Sequence, residues 1–326
     1  MTKREKGALA LAMALCALAG VGAALANSGT GEAVSLPNAA GGWTIPADSH
    51  SEPLPVAPVS VEIRGVGTFT CDPARITSAR PDLFVDGRFS AFDALAALGA
   101  QGAIDLRTSY DDAQATYAIQ SINGLAGWWY DVRLPGGTLE RTALRMDTYP
   151  LKDGAVVYLY LEEPARLAAI EASFRDEVAR RTANGGRVVV PTVTIKGPRS
   201  TATFHDVSVT AHDVRPDVFR PGVVTALDVL LSLGEQGKLT GLDLTWHAML
   251  DGIENVDHYM VDWISTPDAL GEKDSLCGYM DEAATEGLRP FLTPHSHATT
   301  EIHLSSDLEL FVSPEYVEWQ WLCATS

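Results

Sequence analysis

Arg80-Pro81-Asp82-Leu83-Phe84 recurs as Arg215-Pro216-Asp217-Val218-Phe219, at an offset of 135 residues. At the same offset Gly87 matches Gly222. Ala91, Asp93, Leu95, Leu98, Gly99, Gln101 and Gly102 then recur as Ala226, Asp228, Leu230, Leu233, Gly234, Gln236 and Gly237. A gapless run of this length is the mark of a duplicated unit. Upstream, Val61-Glu62-Ile63-Arg64-Gly65 is echoed by Val193-Thr194-Ile195-Lys196-Gly197. The chain therefore reads as two related domains, 60–163 and 188–326, around a connecting helix and turn, 164–187.

Each repeat reads as strand, short helix, strand. Val61 to Ile63 and Gly67 to Cys71 alternate as strands. Ser90 is a helix cap, with Asp93 placed to favour the exposed amides. Phe92, Leu95 and Leu98 supply the buried face, and Gly99 is expected as the left-handed stop. Thr225, Asp228, Leu230, Leu233 and Gly234 repeat that design. Between the repeats, Pro164 suits a first helical turn. Leu167, Ile170, Phe174 and Val178 make one apolar stripe, and Glu171–Arg175, Asp176–Arg180 and Glu177–Arg181 are spaced as i,i+4 ion pairs. The stripe is expected to dock on one or both domains.

The 326 residues carry Lys+Arg 24 against Asp+Glu 42, a net charge of -18, with 46% hydrophobic residues. That supports a sizeable core and argues against binding nucleic acid or an anionic membrane surface. Residues 1–26 read as a signal peptide: Lys3, Arg4 and Lys6, then an apolar run closing on Ala24-Leu25-Ala26. Cleavage there makes the chain exported with no later membrane span, and takes the net charge to -20. Residues 27–59, rich in Gly, Ala, Ser and Pro, read as a flexible linker. Export leaves Cys71, Cys277 and Cys323. The simplest disulfide joins Cys277 to Cys323, both in the second domain, leaving Cys71 free, buried or paired with another molecule.

The first repeat also contains Phe92-Asp93-Ala94-Leu95, Tyr117-Ala118-Ile119-Gln120-Ser121-Ile122-Asn123-Gly124, Gly127-Trp128-Trp129-Tyr130 and Tyr149-Pro150-Leu151-Lys152-Asp153-Gly154. In this order the segments resemble the bacterial β-grasp domains akin to the C-terminal domain of transcobalamin. The resemblance implies an α+β chain of two tandem β-grasp-like domains, each a sheet gripping one short helix, joined by the amphipathic helix. It also implies non-covalent ligand or protein binding. Cobalamin is the cofactor such a domain caps in transcobalamin, but the large helical domain that holds the rest of it there has no counterpart here.

Three groups of residues are candidate sites. Trp128, Trp129 and Tyr130 are consecutive on a strand, so Trp129 faces away from the other two. One set fills the core; the other either binds a ligand or packs against the second domain. His258, Tyr259 and Trp263 are read as the second copy's counterpart, and Tyr158 and Tyr160 share a face that extends the platform. His295, His297 and His303 have the spacing of a metal site if they lie on a strand, and of exposed loop histidines otherwise. No nucleophile elbow, zinc-protease helix or phosphate loop occurs, and adjacent acids such as Asp111-Asp112 diverge in direction. The sequence thus favours a non-catalytic exported protein that binds a small molecule or an exported partner protein. The competing reading is a structural or accessory subunit of a larger exported or cell-surface assembly.

Overall fold

The computed structural model describes residues 33–37, 43, 45, 50–135, 139–141, 143–248, 257–267, 277–291 and 306–323. The signal segment 1–26 and His295, His297 and His303 lie outside the described residues.

The architecture is mixed α+β, mostly sheet, with three α-helices among the described residues. Strand β1 is Ala33–Pro37. The first half then contains β2 (Val59–Ile63), β3 (Gly67–Cys71), α1 (Ala91–Ala100), β4 (Leu106–Asp111), β5 (Thr116–Ile122), β6 (Trp128–Arg133), β7 (Leu139–Arg141) and β8 (Val156–Leu161). After α2 (Pro164–Ala183) come β9 (Val188–Lys196), β10 (Thr201–Val209), α3 (Leu227–Glu235), β11 (Gly241–His247), β12 (His258–Ser265), β13 (Cys277–Ala284) and β14 (Tyr316–Cys323).

Alternation builds the strands. Val59, Val61 and Ile63 point into the first core while Ser60 and Glu62 point out. α1 starts at a reciprocal cap: the Asp93 amide donates to Ser90 Oγ, and the Ser90 amide donates to Asp93 Oδ2 at 2.7 Å. Thr225 and Asp228 share the carboxylate half of this arrangement, the Thr225 amide donating to Asp228 Oδ2. The left-handed stop lies at Gly102 (φ 70°) and Gly237 (φ 69°), not at Gly99 and Gly234. Those two lie inside the helices at close approaches; a Cβ on Gly99 would sit 2.9 Å from Leu106 Cβ. Leu95 and Leu230 are fully buried at equivalent positions of the two helices. Leu95→Ala and Leu230→Ala should each cost roughly 2–5 kcal/mol. Urea unfolding that leaves both variants level with wild type would contradict this packing.

In both halves the first and last strands of the repeat lie parallel and adjacent inside the sheet. β2 pairs β8 with Val61 opposite Val157, and β9 pairs β14 with Val193 opposite Val317. The first sheet runs β3-β2-β8-β6-β7, with the β4-β5 hairpin separate. In the second half the corresponding hairpin, β11-β12, joins the sheet through β13, giving β1-β11-β12-β13-β14-β9-β10. Cys277 and Cys323 face each other on β13 and β14 and form a disulfide. Cys71 is free and buried.

Two expectations change. First, part of the segment read as a flexible linker is built into the fold. β1 pairs β11 along an edge, Leu36 and Trp43 are buried in the second core, and residues 50–57 cross between the halves. Edge pairing needs only backbone groups, which composition does not reveal. Second, α2 uses its charges for docking. Glu177 pairs with Arg145 at 2.7 Å rather than with Arg181, and Arg180 reaches the Ser313 carbonyl and lies 3.9 Å from Glu315. The Ile170 and Phe174 stripe wedges between Trp129 of the first half and Ala284, Leu288 and Tyr316 of the second. The two repeated corners also touch: Phe84 bridges Phe219, and the Arg220 amide donates to the Leu83 carbonyl at 2.7 Å. No helix among the described residues is long and apolar enough to cross a membrane.

Candidate functional site

Alternation along β6 buries Trp128 and Tyr130 under α1 and turns Trp129, Asp131 and Arg133 to the other face. The buried rings keep their polar tips satisfied: Trp128 Nε1 donates to the Leu125 carbonyl at 2.8 Å and Tyr130 Oη to the Leu144 carbonyl at 3.0 Å. Trp129 is half-buried against α2, its ring 6.3 Å from that of Phe174. The three consecutive aromatics therefore serve chiefly as core and helix-docking residues.

His258 and Tyr259 are buried on β12, and Trp263 is half-buried over Gly241. They are not the register counterparts of Trp128-Trp129-Tyr130. Trp128 faces Leu161 as Tyr279 faces Trp321, so the equivalent of that triplet is Tyr279-Met280-Asp281. Tyr259 corresponds instead to Tyr117 on β5. Each sits across its hairpin from an aromatic partner, Tyr110 or Trp246, with ring centroids 5.1 Å apart in both cases. The sequence comparison missed this because the hairpins differ in length between the repeats.

The open concave surface lies on the outer face of the first sheet, with a volume of about 860 Å³. Tyr158 and Tyr160 of β8 form its floor, flanked by Glu62, Asp131, Arg133 and Arg166. The Arg133 guanidinium stands 4.6 Å from the Tyr158 ring centroid. Tyr160 Oη donates to Asp131 Oδ1 at 3.0 Å. Burial, then the Asp131 and Glu162 charges, pushes the Tyr160 phenol well above its ordinary range, and burial raises Tyr158 as well. Both are neutral hydroxyls at physiological pH. The face thus offers two aromatic rings, phenolic oxygens that can accept, a guanidinium and carboxylates: stacking and hydrogen-bonding chemistry. The same register positions on β14 hold Glu318 and Gln320, and Glu318 pairs with Lys196. The aromatic floor belongs to the first half alone. Its charged rim was not singled out in the sequence, although the period-two spacing of Trp129, Asp131 and Arg133 carries the signal.

A second polar constellation is buried between the halves. Glu52 meets Arg88 at 3.2 Å, Lys152 at 3.0 Å and Arg215 at 3.1 Å. Arg215 also binds Asp307 at 3.0 Å and Asp217 at 2.9 Å. Beside it, burial pulls the His258 imidazole down to about 4 and pushes the Asp257 carboxyl up to about 6. These shifts oppose each other. Neutral His258 supports the fold above its unfolded pKa near 6.5, and that support is lost as pH falls toward 4. Asp257 has a folded pKa above its unfolded one, so its contribution is present at low pH and is lost as pH rises through about 6. In Asp257→Asn the His258 effect should stand uncancelled, giving a steeper fall in unfolding temperature from pH 6.5 to 4 than in wild type. A parallel pH profile would contradict it.

Among the described residues no group of three or more His, Cys, Asp or Glu has the geometry to hold a metal ion. No family model, curated protein or solved structure matches the chain.

Proposed function

We propose that the chain is an exported, non-catalytic binding protein of two β-grasp-like units, which holds a small molecule or partner protein on the outer face of its first sheet. The observation that carries this is the half-exposed Tyr158–Tyr160 floor with Arg133 and Asp131 at its rim, which lines a concave face, whereas Trp128 and Tyr130 are buried. Aromatic floors with a few placed polar groups suit reversible recognition. The β-grasp-like reading is supported by the parallel pairing of first and last strands, which is central in the first sheet, the antiparallel neighbours on both sides, and the single helix packed beneath. Export is supported by the charged, apolar, small-residue N-terminus and by the Cys277–Cys323 disulfide.

Tyr158→Ala combined with Tyr160→Ala tests the site. Burying such a ring is worth roughly 1.5–3 kcal/mol. A mass retained by wild type in native mass spectrometry after purification from its own host should therefore be lost from the double variant at unchanged melting temperature. Retention of that mass by the variant, or no retained mass on wild type, would contradict the assignment.

A further inference from the structure

Residues 50–57 lie across the second half's Arg-Pro-Asp corner and show what that corner binds. The His50 ring stacks on Trp246 with centroids 5.0 Å apart. The Glu52 amide donates to Asp217 Oδ2 at 2.8 Å, and the Glu52 carboxylate accepts from Arg215 Nη2 at 3.1 Å. Arg215 is held for this by a two-point contact with Asp217 and by Asp307.

The first half has the same corner. Arg80 makes the two-point contact with Asp82, at 3.0 and 2.8 Å, and binds the buried Asp147 at 2.9 Å. Tyr110 stands where Trp246 stands, with the Arg80 guanidinium 5.8 Å from its ring against 4.9 Å for Arg215 and Trp246. Ala115 and Asp257 share the left-handed backbone beside the arginine, at φ 52° and 43°. Here, however, the corner opens into a cavity of about 450 Å³ lined by Arg80, Asp82, Val223 and Val312. Tyr110 is 42% exposed and the Asp82 side chain 60% exposed. The end of α2 borders the cavity through Val178, Arg181 and Thr182, and among the described residues no third carboxylate reaches Arg80 as Glu52 reaches Arg215. Three of the five Arg80 N–H groups have partners among those residues.

We propose that this first-half corner is a second binding site, which takes an extended segment of a partner protein carrying a ring, one intervening residue and a glutamate. The ring stacks on Tyr110, the backbone amide of the glutamate donates to Asp82, and its carboxylate takes the Arg80 fork. The identity of the wall sets the strength. The Phe89–Leu151 and Val224–Phe311 backbone contacts are equivalent, which places Val223 and Val312 where the other corner has Arg88 and Lys152. Two valines replace Arg88 and Lys152, and the other arginines lining the cavity are engaged elsewhere, Arg145 with Glu177 and Arg181 with the Gly186 carbonyl, so the guest is held by fewer charged contacts than the built-in strap. The site is separate from the Tyr158–Tyr160 face and does not depend on it.

The probe is a fluorescent synthetic peptide with the sequence of residues 48–57, titrated into the full chain by anisotropy. Saturable binding is expected, weakened about tenfold or more by Glu52→Gln in the peptide, the scale of one charge-assisted contact. Val223→Glu in the protein should abolish it, and Val223→Arg, which rebuilds the place of Arg88, should tighten it about tenfold. Thr148→Glu, on the half-buried rim, serves as a second blocking variant should Val223→Glu melt early. Tyr158→Ala with Tyr160→Ala should bind the peptide as wild type does. No binding at millimolar peptide, or binding that both blocking variants leave intact, would overturn the proposal; the latter result would mean exchange with the built-in strap.

Discussion

Glu52→Ala should destabilise the protein by on the order of 3–5 kcal/mol at neutral pH, because it strips the shared carboxylate from three buried cations. Arg88, Lys152 and Arg215 are all buried, and each lies within 3.2 Å of a Glu52 oxygen. Arg215 keeps Asp217 and Asp307, so its charge stays compensated. Arg88 keeps the Asp217 carboxylate at 3.9 Å and donates to the backbone carbonyls of Asp217 at 3.1 Å, Pro53 at 2.8 Å and residue 52. Among the described residues Lys152 keeps the Asp257 carbonyl at 3.4 Å as its hydrogen-bond partner, and burial already pulls its ammonium below the ordinary lysine range. The main cost therefore falls on Lys152, which leads to a second expectation. Lys152→Met in the Glu52→Ala background should recover part of the loss, since an uncompensated buried cation costs more than an apolar side chain in its place. Urea midpoints of the four proteins of this cycle provide the test. A Glu52→Ala midpoint within about 0.5 kcal/mol of wild type would place the carboxylate in solvent.

The corner that Glu52 serves was legible in the sequence, and the strap that carries Glu52 was not. Arg80, Asp82, Arg215 and Asp217 recur because the same two-point contact is built twice, so the duplication was visible in the residue identities themselves. The helix sites were visible for the same reason: Ser90 with Asp93 and Thr225 with Asp228 do one job in both copies. Residues used only once left no such trace. His50, Glu52 and Val56 sit among prolines and small residues and bind through single side chains and backbone groups, which produce no periodicity. The consecutive aromatics on β6 misled in a different way. A Trp-Trp-Tyr run signals large apolar area, but whether that area meets ligand, helix or core depends on α2, and α2 covers Trp129 through Phe174. The tyrosines on β8 instead line the concave face, with Arg166 from the first turn of α2 at its rim.

Trp43→Ala should cost on the order of 3–5 kcal/mol, although its residue lies in a segment that composition alone assigns to a linker. The indole is buried in the second core and lies flat against α3 at Gly234, where an added Cβ would overlap the ring. Glycine at that helical position is thus explained by contact rather than by backbone conformation: Gly234 has no left-handed φ, whereas Gly237 at the helix end does. The two residues should consequently be coupled. In the wild-type background Gly234→Ala forces the indole out and should destabilise by roughly 1–3 kcal/mol, as overpacked cores do. In the Trp43→Ala background the same change has room, and alanine should return up to about 1 kcal/mol through its better helix propensity. The sign of the Gly234→Ala effect is therefore expected to reverse between backgrounds, a coupling readable in urea unfolding of the two single variants and the double. Additive losses would mean that the ring does not rest on the helix. A reversal would establish that the second core is completed from the chain's N-terminal side, with β1 pairing along β11 and Trp43 capping α3. A fragment beginning at residue 60, where the repeat itself starts, would lack both that strand and that ring.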